Sequence, residues 1–177
     1  MDAIRVAALL GFIVVSGIVL YIVMRSRAVG RESRESLAFR QAVGTLSPAV
    51  DATLLAALSV VDEVRRHRLA AVDALPSIDR SLEVVREHRA AVAAIVATPG
   101  EAGHKARLTD DLERAERALD RIDHGVRTLA DATVRIGDVE GQTVVKRGYL
   151  ELQHARDAFA RDALAAAATA TPPPRGA

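Results

Sequence analysis

The chain has 177 residues, a net charge of +1, half of its residues hydrophobic, 3% aromatic, and neither Cys nor Trp. Without Cys there is no disulfide, thiolate nucleophile or Cys-based zinc site, and so few aromatics leave no base-stacking surface or sugar platform. The charge is divided: residues 1–40 carry six Arg against three acids, and the remainder is slightly acidic, which argues against a nucleic-acid partner.

Residues 6–24, VAALLGFIVVSGIVLYIVM, are 19 consecutive positions without a charge. At about 1.5 Å per residue they reach about 28 Å, close to the roughly 30 Å hydrocarbon core of a bilayer. A signal peptide would need a basic leading region, an apolar core of about 7–15 residues and a small-residue cleavage site. Here Asp2 offsets Arg5, the run is longer, and Ser26-Arg27-Ala28 is flanked by arginines. An uncleaved single-pass anchor over residues 1–27 is the expectation. Arg25, Arg27, Arg31, Arg34 and Arg40 follow it and only Arg5 precedes it. The positive-inside rule then places the N-terminus outside and the C-terminal domain in the cytoplasm. Arg25, Arg27 and Arg31 are candidate contacts to lipid headgroups, at about 1 kcal/mol each. The plainer reading is stop-transfer charge, since Glu32 and Glu35 dilute the cluster. Ala3, Ala7 and Gly11 share a face at a spacing that suits helix pairing, one that Ala-rich helices also show by chance.

Residues 28–47 read as a juxtamembrane helix or linker. Ser47-Pro48 has the form of an N-cap followed by a first helical Pro, so a kink or break is expected near residues 44–48. The bundle domain then runs over 48–168. Val50, Leu54, Leu58, Val61 and Val64 predict a helix to about residue 71. The breaker Ala74-Leu75-Pro76-Ser77 comes next, followed by a helix over 77–97 with Ile78, Leu82, Val85, Val92 and Val96 on one face. Arg89 falls in that stripe and is expected to reach past the core edge. Thr98-Pro99-Gly100-Glu101 is a loop and a capping box.

The strongest pattern follows: Leu108, Leu112, Ala115, Leu119, Ile122, Val126, Leu129, Thr133 and Ile136, a heptad seam. The pairs Asp110/Arg114, Glu113/Arg117, Asp123/Arg127 and Asp131/Arg135 mark its solvated side. Two glycines in residues 137–141 predict a turn or kink. A last helix carries Val145, Tyr149, Leu152, Arg156, Phe159 and Ala163 to about residue 168, and a Pro-rich tail over 169–177 is expected to be disordered. The expected fold is all-α: an N-terminal single transmembrane helix, then an antiparallel three- to four-helix bundle of coiled-coil character. The layout is similar to that of several bacterial envelope and division proteins, and layout alone implies no activity.

Catalytic chemistry finds little support. Glu101/His104 and Glu151/His154 match the Glu-x-x-His spacing of di-iron bundles, but the first begins in a loop and the second lies off the apolar stripe. Glu63/His67 and Asp120/His124 are spaced to clip a metal ion and read more simply as surface pairs. No triad and no phosphate loop occurs. No catalytic residue, cofactor or metal is assigned, and enzymatic activity is not expected. Lys146-Arg147-Gly148-Tyr149 stands out as a contact segment, against the plainer reading of Tyr149 as a core residue with its hydroxyl at the edge. With Leu129, Thr133 and Ile136 at the end of the seam, Lys146, Arg147 and Tyr149 form the candidate protein-contact surface. The function expected is a scaffold or adaptor, held in the bilayer and acting through contact with another protein or a second copy. The alternative is a sensor or regulatory subunit that relays a signal through the bundle.

Overall fold

A computed structural model describes the backbone of residues 2–131 and 135–168, and the side chains of residues 34–131 and 139–168. Four helices account for the fold: α1 Asp2–Arg65, α2 Ala71–Ala94, α3 Ala102–Asp131 and α4 Arg135–Ala168. No strand occurs among the described residues. Consecutive helices run antiparallel, as the pairing of Arg86 with Glu116 and of Arg127 with Asp79 shows for α2 and α3. Each helix packs on its two neighbours in cyclic order. The shared core includes Phe39 and Leu54 of α1, Ile78 and Val85 of α2, Leu108, Leu119 and Ile122 of α3, and Leu152 and Phe159 of α4.

α1 does not break at residues 44–48; it runs through Pro48 for 64 residues. Proline removes one helical hydrogen bond and crowds the carbonyl four residues back, here that of Gly44. Both Gly44 and Pro48 face solvent, and a Cβ on Gly44 would meet nothing within 4 Å. Water can therefore serve the freed carbonyl, while Val43 and Val50 stay buried on the opposite side. The core also extends below Pro48, because Phe39 and Val43 are buried in it with Val50, Leu54 and Val61.

The first reversal lies at residues 66–70 rather than 74–77. It contains neither Gly nor Pro. His67 takes the left-handed conformation at φ 55°, and the amides of Arg68 and Leu69 both donate to the Glu63 carbonyl, at 2.8 and 3.3 Å. Pro76 lies inside α2, where the amide it lacks would have served the carbonyl of exposed Val72. At the other end α2 stops at Ala94, so Val96 is 71% exposed rather than part of the stripe. Lys105 Nζ donates to the carbonyls of Ala93 and Ile95 at 2.6 and 2.7 Å, a cation on the negative end of the helix.

The α3 seam is buried from Leu108 to Val126, and Leu129 packs at its edge. Beyond it, α3 is described to Asp131 and α4 from Arg135. Thr133 lies outside the described residues; Ile136 belongs to α4, and its side chain lies outside them. The residues 137–141 are helical. Gly141 serves close approach: a Cβ there would sit 2.7 Å from Leu129 Cγ. One on Gly148 would sit 2.6 Å from Ile122 Cγ1, and one on Gly125 2.8 Å from Val145 Cγ2. Of the surface pairs, Glu113/Arg117 and Asp123/Arg127 form. Arg114 pairs instead with Asp111 at 2.9 Å, and Arg135 lies outside the described side chains. Arg89 reaches Glu116 of α3 at 2.9 Å, at the core edge.

Among the described residues one helix near the N-terminus, the Arg34–Arg65 part of α1, is long and apolar enough to cross a membrane. Its Arg34–Arg65 section has a mean hydropathy of 1.5 over its most apolar part, but that section lines the core through Phe39, Val43, Val50, Leu54 and Val61. The charge-free residues 6–24 of the same helix carry no such commitment in the sequence.

The glycines give opposite expectations. Gly148→Ala should lower stability by about 1–3 kcal/mol, through the clash with Ile122. Gly44→Ala should raise it by up to about 1 kcal/mol, since open space lets helix propensity act alone. Urea unfolding followed by circular dichroism checks both; equal shifts would refute close packing at Gly148.

Candidate functional site

Three polar or open clusters interrupt the apolar core. The first ties the loop after α2 to α1. Glu101, 6% exposed, accepts hydrogen bonds from Ser36 Oγ at 2.6 Å and Thr98 Oγ1 at 3.1 Å. Arg40 Nε lies 3.6 Å from the same carboxylate and has no hydrogen-bond partner of its own. Thr98 and Glu101 thus meet side chain to side chain, and the carboxylate is turned toward α1. The amides of Glu101 and Ala102 donate to the Thr98 carbonyl, which closes the turn into α3.

The second cluster is carboxylic. Asp111 is 2% exposed on the inner face of α3. Its Oδ1 accepts from Arg114, and its Oδ2 is buried without a donor. Burial first, and then the charge of Asp162 on α4, push its pKa up to about 6 against the opposing pull of Arg114. Arg107 lies 3.4 Å from Asp162 and holds that partner. Neither acid stood out in the sequence, because Asp111 occupies a core position of the second α3 stripe, one residue off the seam.

The third cluster lies at the end of the bundle opposite Glu101, where the turn after α1 meets the start of α4. Two adjoining clefts of about 400 and 330 Å³ share His67 and Gln142. Arg65, Thr143 and Lys146 line one; Leu69, Ala71 and Leu129 line the other. The Arg65 guanidinium stacks 4.4 Å over the Tyr149 ring, which is partly buried against the core. Lys146 has no ion pair among the described residues. The fold therefore brings together Leu129, Lys146 and Tyr149 from the expected contact surface. Arg147 turns the other way, to Glu151 at 3.2 Å. Arg65 also belongs to this end, with His67, which the sequence pairs only with Glu63; the run Arg65-Arg66-His67-Arg68 at the end of α1 is the signal that points to both.

The spacings weighed for metal are otherwise engaged. Glu63 pairs with Arg68, Asp120 with Arg86, and Glu151 with Arg121 and Arg147. His104 Nδ1 lies 2.9 Å from an Arg107 nitrogen, and His154 is exposed. No group of three or more metal-ligating side chains occurs among the described residues. The side chains of Arg25, Arg27 and Arg31 lie outside them. Comparison with protein-family models, with curated proteins and with solved structures gives no match.

Asp111 makes stability depend on pH in a defined direction. Its pKa rises from 3.8 to about 6 on folding, so its contribution is full below about 4 and is lost as pH rises through about 6. Asp111→Asn should therefore stabilise the bundle relative to the parent at pH 8, by on the order of 1–3 kcal/mol, and give no advantage at pH 4. Melting temperatures of the two proteins between pH 4 and 8 measure this, and a constant difference would refute it.

Proposed function

We propose that the chain is a single-pass, membrane-anchored scaffold or adaptor, with its N-terminus outside, its bundle in the cytoplasm and its action exerted through protein contact. The observation that carries this reading is the continuity of α1, which joins the charge-free residues 6–24 to the buried bundle stripe without a loop. A bundle so attached is held at a set height. Residues 24 to 65 of a straight helix span about 60 Å, and that length ends at the clefts beside His67 and Lys146. Lys146, the Arg65–Tyr149 stack and Leu129 give that end the mixture of cationic, aromatic and apolar groups that suits a protein interface. The arginines that follow residue 24 support the orientation. The alternative of a sensor draws on one observation: Asp111 is buried at the α3–α4 interface, where burial and the charge of Asp162 push its pKa up to about 6 and its titration would bear on helix packing.

Membrane vesicles test the reading. Lys146→Cys should react with an impermeant thiol reagent in inverted vesicles and not in right-side-out ones; the reverse would overturn the orientation. A photo-crosslinker at position 146 should give a protein adduct, and one at exposed Glu87 should not. No adduct at 146 from a folded, membrane-integrated chain would overturn the contact reading.

A further inference from the structure

Between Leu37 and Ser59, α1 is uncharged on the side turned away from the core. Eleven exposed positions lie between Leu37 and Ser59, and none is charged. In α3, eight of thirteen exposed positions are charged. The one charge in residues 41–61, Asp51, is drawn aside to Arg156 of α4 at 2.7 Å. Thr45 returns its hydroxyl to the Gln41 carbonyl at 2.8 Å. Leu37 and Leu55 stand 54% and 51% exposed on this face. The outward positions Gln41, Thr45, Pro48, Ala52, Leu55 and Ser59 step by 4-3-4-3-4, the spacing of a two-helix seam. Gly44 beside them answers to no neighbour within the chain.

We infer that this face binds the same face of a second copy, α1 against α1, parallel and in register. The inference rests on the scaffold reading and names its partner. Lipid does not cover the face, because the bundle at the same height carries the charged outer side of α3 and the Glu101–Arg40 cluster, which belong in water. Two copies anchored in one membrane stand side by side with equal residues at equal heights, the arrangement a parallel seam requires. The area sets the conditions. The rise from Leu37 to Ser59 makes a strip about 33 Å long, and at the roughly 10 Å breadth of a helix two copies bury about 660 Å² together. Stable complexes in solution bury about 1,200 Å² or more. The pair therefore forms where tethering raises the local concentration and dissociates on dilution.

The full chain has no Cys, so single cysteines report the contact directly. In liposomes, Ala52→Cys and Ser59→Cys should each give covalent dimers through like positions, and Arg117→Cys on the outer side of α3 should not. Tenfold more lipid should reduce the dimer several-fold, and adding Leu55→Glu should reduce it at least tenfold with helicity intact. Crosslinking at position 117 equal to that at 52 and 59, or no dimer from a folded chain, overturns the inference. So does labelling of Ser59→Cys by a bilayer-confined reagent. The adduct at position 146 in membranes reads the scaffold separately: kept in the Leu55→Glu chain while dimers never form at 52 or 59, it leaves that reading standing and removes this one.

Discussion

The structure depends on where two helix-unfriendly residues point. Gly44 and Pro48 both face water, four residues apart, so the lost hydrogen bond falls on a carbonyl that solvent can reach. Had Pro48 faced inward, the freed carbonyl would have been buried between Val43 and Val50, at a cost of several kcal/mol, and α1 would have divided there. An unbroken α1 instead lets one element serve residues 6–24 and the core together. Every later helix takes its position from that one: α2 and α4 flank it, and α3 closes the ring.

What the sequence made legible follows from which signals were local. The apolar stripes were read directly, and Ile78, Val85, Leu108, Leu119, Ile122, Leu152 and Phe159 are all buried. The reversals were read from Gly and Pro, and there the reading failed three times. Pro48 and Pro76 lie within helices on solvent-facing turns, and Gly141 is a contact residue rather than a breaker. The true α1–α2 turn needs a left-handed residue, and His67 supplies it. A glycine used for close approach looks in sequence like a glycine used for a turn; only the partner, Leu129 or Ile122, tells them apart. At the end of the bundle near His67, Leu129, Lys146 and Tyr149 stand out in the sequence as candidates, and Arg65 does not, since it arrives through a turn that carries neither Gly nor Pro.

The two buried carboxylates show how differently the fold treats a charge. Glu101 has two hydroxyl donors and an arginine within reach, so its charge is met by hydrogen bonds that join the α2–α3 loop to α1. Asp111 has one guanidinium and a second carboxylate for company, and one of its oxygens has no donor. The first arrangement fixes geometry. The second opposes ionisation, since desolvation and like charge act in the same direction. Both lie on α3 or at its start, within ten residues, and neither is replaced by the apolar side chain its burial would favour.

The hydropathy of α1 means different things along its length. A helix that is apolar all round belongs in a core or in a bilayer, and residues 6–24 are of that kind in sequence. Between Leu37 and Ser59 the inner side is core, but the outer side is neither core nor charged surface. The solvent-facing side of α3 follows the usual rule and is largely charged. The outer side of α1 departs from that rule over six turns while α1 keeps its inner stripe intact, so packing within the chain does not account for its composition.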